Sequence, residues 1–257
     1  MPTPANSRNE TPDRAGFRLQ RLEVFNWGTF DQNIWIIHPN GQTSLLTGAN
    51  GSGKSTLVDA LVTLFVPSRG RKYNLASGER RSERDERTYI RGAYGRRSRE
   101  DGVSGDEVLY LRPLDAYSIL LGVFSQPASR RYITVAQVLW IGGDGFVERR
   151  FVVAEQDLNI AEDFSRIGDI RELGRQLKAR RADVFDQYNR YAERLRKAFN
   201  LRSDQAFNLF NQIVSIKDID RLDAFIREHM LEPMNAEARV KELKDNFHDL
   251  TASYKAL

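Results

Sequence analysis

Short runs of apolar and β-branched residues, separated by turn-forming residues, fill the chain from Phe17 to about residue 155. Before residue 48 they predict three strands, in "FRLQRLEVFNWGTF", in "NIWIIHP" and in "TSLL", which follows the turn signal "PNGQ". Beyond residue 105 they predict successive strands in "DEVLYLRPLDAYSILLGVFSQ", "RRYITVAQVLWI" and "FVERRFVVAE". The segment "GGDG" at 142–145 predicts a hairpin turn between the last two of these runs.

Helical spacing occurs in two parts of the chain. After residue 53, apolar residues at i, i+3, i+4, i+7 and i+8 predict a helix with one buried face that Pro67 ends: Leu57, Ala60, Leu61, Leu64 and Phe65. From about Ser165, "RIGDIRELGRQLKARRADVFDQYNRYAERLRKAFN" predicts two amphipathic helices, and Ser203 can cap another in "DQAFNLFNQ". "DRLDAFIREHML" predicts a further short helix that Pro233 closes. With strands on both sides of the first predicted helix, the predicted fold class is α/β.

The last stretch, 236–257, carries apolar residues spaced 3, 4, 3, 4 and 3 apart, which is a heptad pattern: Val240, Leu243, Phe247, Leu250, Tyr254 and Leu257. An ordinary amphipathic terminal helix that packs on its own domain would show such a stripe. A lone helix of about 20 residues is marginal in water without a partner. The pattern therefore also fits the start of a long coiled coil that the end of the chain cuts off.

Composition narrows the classes of function. The 257 residues carry a formal net charge of +4, which weakly favours a polyanionic partner. Because the chain has no cysteine, disulfides, thiolate metal sites and cysteine nucleophiles are excluded. No apolar run is as long as a membrane span. Residues 1–16, rich in Pro, Asn, Ser and charge, predict a disordered tail without a secretory signal.

The most basic segment is 69–99, with eleven Lys and Arg residues against four Asp and Glu residues. We interpret it as a mobile basic insertion that contacts DNA phosphates through Arg69, Arg71, Lys72, Arg96 and Arg97. The alternative is a solvated loop with internal ion pairs such as Glu83–Arg87. Nothing in the segment indicates base readout, so this contact would not depend on DNA sequence.

A glycine-rich loop followed by a helix, "GANGSGKST" at 48–56, matches the pattern G-x4-G-K-[ST]. Glycines let several backbone N–H groups approach a polyphosphate, and the helix points its N-terminus at the anion. Lys54 would reach the β- and γ-phosphates, Ser55 would bind Mg²⁺, and Thr56 would hold the α-phosphate side. The predicted ATP-binding residues are Gly48, Asn50, Gly51, Ser52, Gly53, Lys54, Ser55 and Thr56.

Hydrolysis also needs a group that positions water and a second Mg²⁺ ligand. A run of four apolar residues that ends in Asp-Glu does not occur; "VLWIGGD" comes nearest, but glycines interrupt it and no Glu follows. "LASGE" at 75–79 faintly resembles the signature loop of ABC-type ATPases, yet it lies too close to the phosphate loop. We therefore expect this chain alone to bind ATP weakly and to turn it over negligibly.

The segment "RLEVFNWGTFDQNIWIIHPNGQTSLLTGANGSGKSTLVDAL" resembles the N-terminal head segment of SMC-type ATPases. "TYIRGAYGRR", "ADVFDQYNRYAERLRKAF" and "AFNLFNQIVSIKDIDRLDAFIREHMLEP" are similar to the MukB-like branch, most closely to JetC, the SMC-like subunit of the Wadjet plasmid-defence system, and its relative MksB. This resemblance implies an ABC/SMC-type P-loop NTPase head, of which 17–235 would be the N-terminal part and 236–257 the start of the coiled coil.

In SMC-type proteins the head is split, so that the Asp-Glu pair and the signature loop lie at the far C-terminal end. The resemblance thus implies that this chain is an N-terminal fragment, completed by its own C-terminal head half. By position, it implies that Gln212, in "NLFNQIVS", is the Q-loop glutamine that touches Mg²⁺ and the attacking water. Gln137 is a second candidate, although it lies in a predicted strand. Trp27 or Phe30 would pack near the nucleotide, or in the core.

The resemblance further implies ATP-driven DNA loop extrusion or translocation by a homodimer joined through its heads, in a Wadjet-type plasmid-defence or condensin-like complex. Kleisin, winged-helix (KITE) and nuclease subunits would be partners, in the cytoplasm of a bacterium at the nucleoid, without a membrane. A DNA-repair ATPase of the SbcC or RecF type would share the head, but RecF-type proteins lack a long coiled coil. A self-contained P-loop kinase would need an acceptor site and a Mg²⁺-holding carboxylate after a core strand.

Overall fold

The computed structural model describes residues 16–71, 85–98, 106–126, 129–164, 170–201, 206–207, 209–210 and 244–247. The chain divides into two compact units, Met1–Ser215 and Ile216–Leu257. In the second unit the described residues, 244–247, are helical, and Phe247 among them is exposed. The first unit is a mixed α/β fold.

The first unit contains eight strands, five α-helices and one 3-10 turn among its described residues. The strands are β1 (Arg18–Trp27), β2 (Phe30–Ile37), β3 (Ala93–Ser98), β4 (Asp106–Tyr110), β5 (Tyr117–Gln126), β6 (Arg131–Ile141), β7 (Val147–Ala154) and β8 (Asp183–Phe185). The α-helices are α1 (Lys54–Phe65), α2 (Glu86–Arg91), α3 (Ile160–Asp163), α4 (Ile170–Ala179) and α5 (Tyr188–Phe199), and the 3-10 turn is Ser68–Gly70.

Six strands form one antiparallel sheet in the order β2-β1-β5-β6-β7-β8, while β3 and β4 form a separate two-stranded hairpin. The inner strands are apolar on both sides, because helices cover both faces of the sheet. On one face, Leu120 of β5 belongs to the core that includes α1 and α5. On the other face, Ile119 and Leu121 join the core that includes α3 and α4. This alternation follows from the period of two in a strand.

Most of the regular structure agrees with the sequence pattern. The strands predicted beyond residue 105 are confirmed as β4 to β7, and the 142–145 turn joins β6 to β7. Helix α1 buries Leu57, Ala60 and Leu64 and ends before Pro67. The two predicted amphipathic helices are α4 and α5. The short strand β8 between them was not predicted; its three residues pair with the end of β7.

The prediction of a strand in "TSLL" is wrong. Residues 43–49 have no regular secondary structure, and Leu45 is 88% exposed while Leu46 is 42% exposed. A strand exists only through hydrogen bonds to a neighbouring strand, and no described segment pairs with these residues. Within the described residues, Leu45 and Leu46 are therefore not buried against any other segment.

The interpretation of 69–99 as one mobile insertion is wrong for 85–98. Asp85 and Thr88 form a capping box at the start of α2, and Gly92 ends the helix in a left-handed conformation with φ of 66°. Tyr89 and Ile90 of this helix are buried in the core. Hairpin β3–β4 follows directly. The high charge of the segment concealed a short helix that packs through two apolar residues.

Several predictions fall outside the described residues and stay predictions. They concern the tail 1–15, the ion pair partner Glu83, "LASGE", the cap Ser203, "DRLDAFIREHML" and the heptad positions other than Phe247. The same is true of Lys72 and Gln212. Within the described part of the chain, no helix is long and apolar enough to span a membrane.

Candidate nucleotide site

The glycine-rich loop runs from Gly48 into the first turn of α1 at Lys54. Gly48, Gly51 and Gly53 have φ of 156°, 82° and 86°, in the region that side chains other than glycine rarely adopt. The ammonium of Lys54 donates to the carbonyl oxygens of Gly48 and Ala49, both at 2.7 Å. The lysine thus folds over the loop, so that its charge lies where the loop carbonyls converge.

The N-terminus of α1 is arranged to receive an anion. Gly53 is its N-cap, no side chain hydrogen-bonds the cap, and the first turn contains no acidic residue. The first N–H groups of a helix have no partner within the helix and carry part of the positive end of its dipole. Phosphate oxygens would satisfy these donors. Ser55, in the same turn, presents a hydroxyl of the kind that binds Mg²⁺ beside a bound phosphate.

The turn between β1 and β2 packs against the first residues of α1 and against its N-cap. The indole Nε1 of Trp27 donates to the carbonyl oxygen of Thr56 at 3.1 Å. A Cβ on Gly28 would lie 2.7 Å from Thr56 Cγ2, and one on Gly53 would lie 2.6 Å from the ring of Phe30. Of the two aromatic residues that the sequence singled out, Trp27 is fully buried in the core, whereas Phe30 packs directly against the phosphate loop.

The opposite end of α1 is closed by side-chain donors from three other parts of the fold. Gln137 Nε2 donates to the carbonyl oxygen of Thr63 at 2.7 Å, and the Tyr191 hydroxyl donates to that of Leu64 at 2.7 Å. Gln137 is fully buried in β6. Because this amide is bound to the C-terminal turn of α1, Gln137 is removed as a candidate for the Mg²⁺ site.

Tyr188 and Arg71 complete this closure. The Tyr188 hydroxyl donates to the carbonyl oxygen of Phe65 at 2.7 Å, and Arg71 Nε donates to that of Val66 at 3.1 Å. Burial raises the pKa of the Tyr191 phenol well above its ordinary value, which favours the protonated hydroxyl that donates to Leu64. Carbonyl groups at this end of the helix are therefore satisfied without a ligand.

A buried ion cluster joins Arg71, Glu86 and Arg149. Arg71 pairs with one carboxylate oxygen of Glu86, and Arg149 donates to both oxygens at 2.7 Å. The Arg71 side chain is 2% exposed and that of Glu86 is 12% exposed. Burial acts to raise the pKa of Glu86, but the charges and hydrogen bonds of the two arginines outweigh it, and this pKa lies below its usual value.

These contacts correct one of the predicted DNA-binding residues. Arg71 is buried and holds both Glu86 and the end of α1, so it cannot reach a DNA phosphate. Arg69, two residues earlier, is exposed, as are Arg96 and Arg97 on β3. The spacing of basic residues in the sequence could not distinguish Arg69 from Arg71, because both lie in one uninterrupted polar run.

Sequence analysis missed Arg112, a buried arginine after β4 that binds four backbone carbonyls near the phosphate loop. A lone arginine between "DEVLYL" and "PLD" carries no local signal of this role.

Sequence analysis also missed the carboxylate of Asp59, which is buried in α1 and accepts a hydrogen bond from the Tyr89 hydroxyl. The signal for Asp59 was its position one turn after Ser55, on the face of α1 that packs inward. No cluster of three or more metal-ligating side chains occurs among the described residues.

A protein-family profile matches the part of the chain that contains the glycine-rich loop. Residues 19–80 match the family profile described as the P-loop containing region of AAA domain. The matched segment contains all but the first residue of β1, together with β2, the glycine-rich loop and α1. The chain thus has a P-loop nucleotide-binding region.

Structural comparison returns an SMC protein. This solved structure, from work on ATP-driven dimerization and DNA stimulated activation of SMC ATPases, has 15% sequence identity and a TM-score of 0.34. The alignment covers 63% of this chain and 78% of the other. No curated protein matches the sequence. The P-loop match is therefore the comparison that supports a nucleotide site.

Proposed function

We propose that this chain is the ATP-binding N-terminal part of an SMC-like ATPase head. The observation that carries the proposal is the uncapped N-terminus of α1 beneath a loop of left-handed glycines, with Lys54 folded over it. In this proposal, backbone N–H groups of 48–56 hold the phosphates, Lys54 contacts the β- and γ-phosphates, and Ser55 binds Mg²⁺. Bound Mg²⁺ would neutralise charge on the phosphates.

A second segment of protein is needed to complete the site. Residues 43–49 pair with no described strand, Leu45 among them is 88% exposed, and the segment runs into the phosphate loop at Gly48. Among the described residues, no strand is followed by an Asp-Glu pair that could position water. We assign both tasks to the C-terminal head half, which would pair with 43–49 and supply the carboxylates. Gln212 would act as the Q-loop glutamine at the same Mg²⁺ ion.

In the assembled protein, two heads would dimerise around ATP and drive DNA loop extrusion or translocation. Arg69, Arg96 and Arg97, which are exposed, and Lys72 would contact DNA phosphates without reading sequence. The MukB-like segments favour a JetC- or MksB-type complex with kleisin, KITE and nuclease subunits, in the bacterial cytoplasm. Residues 236–257 would begin the coiled coil. An SbcC-type repair ATPase is the second candidate, since the same heptad pattern suits it.

Steady-state ATP hydrolysis tests the proposal. The chain would be assayed alone, then mixed with a separately expressed C-terminal head half of a closely related full-length protein, and finally with DNA. We expect negligible turnover by the chain alone and turnover on mixing that Lys54→Ala abolishes. DNA would then raise the rate.

The controls separate a split head from a complete enzyme. The second half alone must be inactive, and Arg175→Ala, an exposed change on α4 far from the loop in sequence, should leave the mixed activity unchanged. If the chain alone hydrolyses ATP at ordinary enzymatic rates, it holds its own carboxylate, and the split-head proposal is wrong. Phosphate transfer to a small acceptor would instead indicate a kinase.

A further inference from the structure

Arg112 links two segments that surround the phosphate loop. Its Nη2 donates to the carbonyl oxygens of Gly28 and Tyr89, both at 2.8 Å, and its Nε donates to that of Ile90 at 2.7 Å. Its Nη1 donates to Asp31 Oδ1 at 2.8 Å and to the carbonyl oxygen of Phe30 at 3.3 Å. The guanidinium therefore joins the β1–β2 turn to the end of α2.

The β1–β2 turn is what holds the start of α1 in place. Phe30 packs against Gly53, Gly28 faces Thr56, and the Trp27 indole binds the Thr56 carbonyl. The loop itself contributes little, because residues 43–52 are exposed throughout. The position of the helix N-terminus therefore depends on a turn whose own carbonyl groups are bound by Arg112.

The same arginine closes the base of the β3–β4 hairpin. Its backbone N–H donates to the carbonyl oxygen of Arg91 at 3.0 Å, and that of Leu111 donates to Gly92 at 3.0 Å. A Cβ on Gly92 would lie 2.7 Å from the Gly28 carbonyl oxygen, so the hairpin base and the turn are in direct contact. Displacing Arg112 would therefore loosen both segments together.

We infer that Arg112 is a positioning residue for nucleotide binding, which sets the phosphate loop through the β1–β2 turn without touching the nucleotide. This inference rests on the proposed function. The three nitrogens of the planar guanidinium make five contacts at once, because their donors point in fixed, divergent directions. The single ammonium nitrogen of a lysine would keep the charge and could at most replace the contacts of one of these nitrogens, so the others would be lost.

The test is Arg112→Lys in the full chain, with Mg-ATP affinity measured by calorimetry below the unfolding transition. We expect the Kd to rise about tenfold. A displaced loop would weaken roughly one charge-assisted hydrogen bond between the loop and the phosphates, and a tenfold change is the size of that loss. A second readout is the indole N–H NMR resonance of Trp27, identified by its loss in Trp27→Phe. This resonance should shift in Arg112→Lys, because the hydrogen bond to Thr56 changes.

Arg71→Lys is the matched control, since Arg71 is equally buried and also binds carbonyl groups, but at the other end of α1. It should lower the melting temperature without changing the Kd or the Trp27 resonance. If Arg112→Lys loses stability but binds Mg-ATP as the wild type does, Arg112 is merely structural and the inference is wrong. If both variants weaken binding equally, affinity follows stability alone, which also overturns it.

Failure of the proposed function would look different. In that case the wild-type chain itself would show no Lys54-dependent binding of Mg-ATP, and the role of Arg112 would fall with it. Should Arg112→Lys not fold, Asp31→Asn gives a milder version of the test, because it loosens one contact of the guanidinium and leaves the rest. We expect the same direction of change and a smaller rise in Kd; an unchanged Kd there would count against the inference.

Discussion

The two ends of α1 differ in how their backbone groups are capped. At the C-terminus, side chains from β6, from α5 and from the segment after the helix bind its last carbonyl oxygens. At the N-terminus, no side chain binds the cap and no acidic residue lies in the first turn. The carbonyl oxygens at the C-terminus thus have side-chain donors from the fold itself. At the N-terminus, backbone N–H groups and the Lys54 ammonium face the loop.

This difference shows which end the fold reserves for a ligand. Buried carbonyl groups without partners cost free energy, so a stable helix end inside a protein is capped. An end that stays open beneath three left-handed glycines keeps its donors for a partner outside the described residues. Changes at the closed end should therefore alter stability, and changes at the open end should alter binding.

The largest effect is expected at the closed end, from Arg71→Ala. The change removes the donors that Arg71 gives to the carbonyl oxygens of Thr63 and Val66, and among the described residues it leaves the buried Glu86 paired with Arg149. Removing one member of a buried ion pair costs about 3–5 kcal/mol. Urea unfolding should show this loss. Arg69→Ala, an exposed arginine two residues away, should change stability by less than about 0.5 kcal/mol; equal losses would contradict the assignment.

Lys54→Ala is expected to give the largest effect at the open end. Its ammonium binds two carbonyl oxygens and the Ser52 hydroxyl of an exposed loop, so the free energy of unfolding should change by less than about 0.5 kcal/mol. Loss of its contacts to phosphate should raise the Kd for Mg-ATP roughly 10- to 100-fold, as removal of hydrogen bonds to a charged group does. If the melting temperature of Lys54→Ala falls as far as that of Arg71→Ala, the two ends do not differ in their contribution to stability.

The open end could be predicted from sequence, whereas the closed end could not. The spacing of Gly48, Gly53 and Lys54 is local, and its chemistry depends on neighbours along the chain. The donors at the closed end come from residues far apart in sequence, such as Gln137 and Tyr191. Neither residue type marks a helix end by itself. Such contacts follow from the order of strands in the sheet, which local patterns do not determine.

Two of the failed expectations, the strand in "TSLL" and the DNA contact of Arg71, have related causes. "TSLL" has a strand-like pattern, but a strand requires a neighbour that the described residues do not provide. Arg69 and Arg71 look alike in sequence, yet one is exposed and the other is buried because only Arg71 meets Glu86, fifteen positions later. Hydrophobic periodicity predicted α1 and β5 to β7 well, since burial of a face is a property of the segment itself.

Acid should weaken the ion cluster at the closed end. The pKa of Glu86 is lowered in the fold, so its ion cluster stabilises the protein above the ordinary pKa of glutamate, about 4.3, and the contribution is lost as pH falls through the lower folded value. Urea unfolding of the wild type and of Glu86→Gln should differ at pH 7 and converge on acidification. A gap that stays constant down to low pH would show that Glu86 is not charged in the fold.

The smallest effect in this chain should come from Leu45→Ser, and it sharpens the comparison most. Leu45 is 88% exposed in the segment that leads into the open end, so its replacement should leave the free energy of unfolding within about 0.5 kcal/mol of the wild type. If a second head half pairs with 43–49, the same change should remove a buried apolar contact worth about 1.5–3 kcal/mol from the joined form. Hydrolysis on mixing should then need more of the second half to reach the same rate. Gln42→Ser, an exposed change just before the segment, is the control. Equal behaviour of the two variants on mixing would mean that 43–49 is not the surface that joins the halves, and the open end would then be completed from another side.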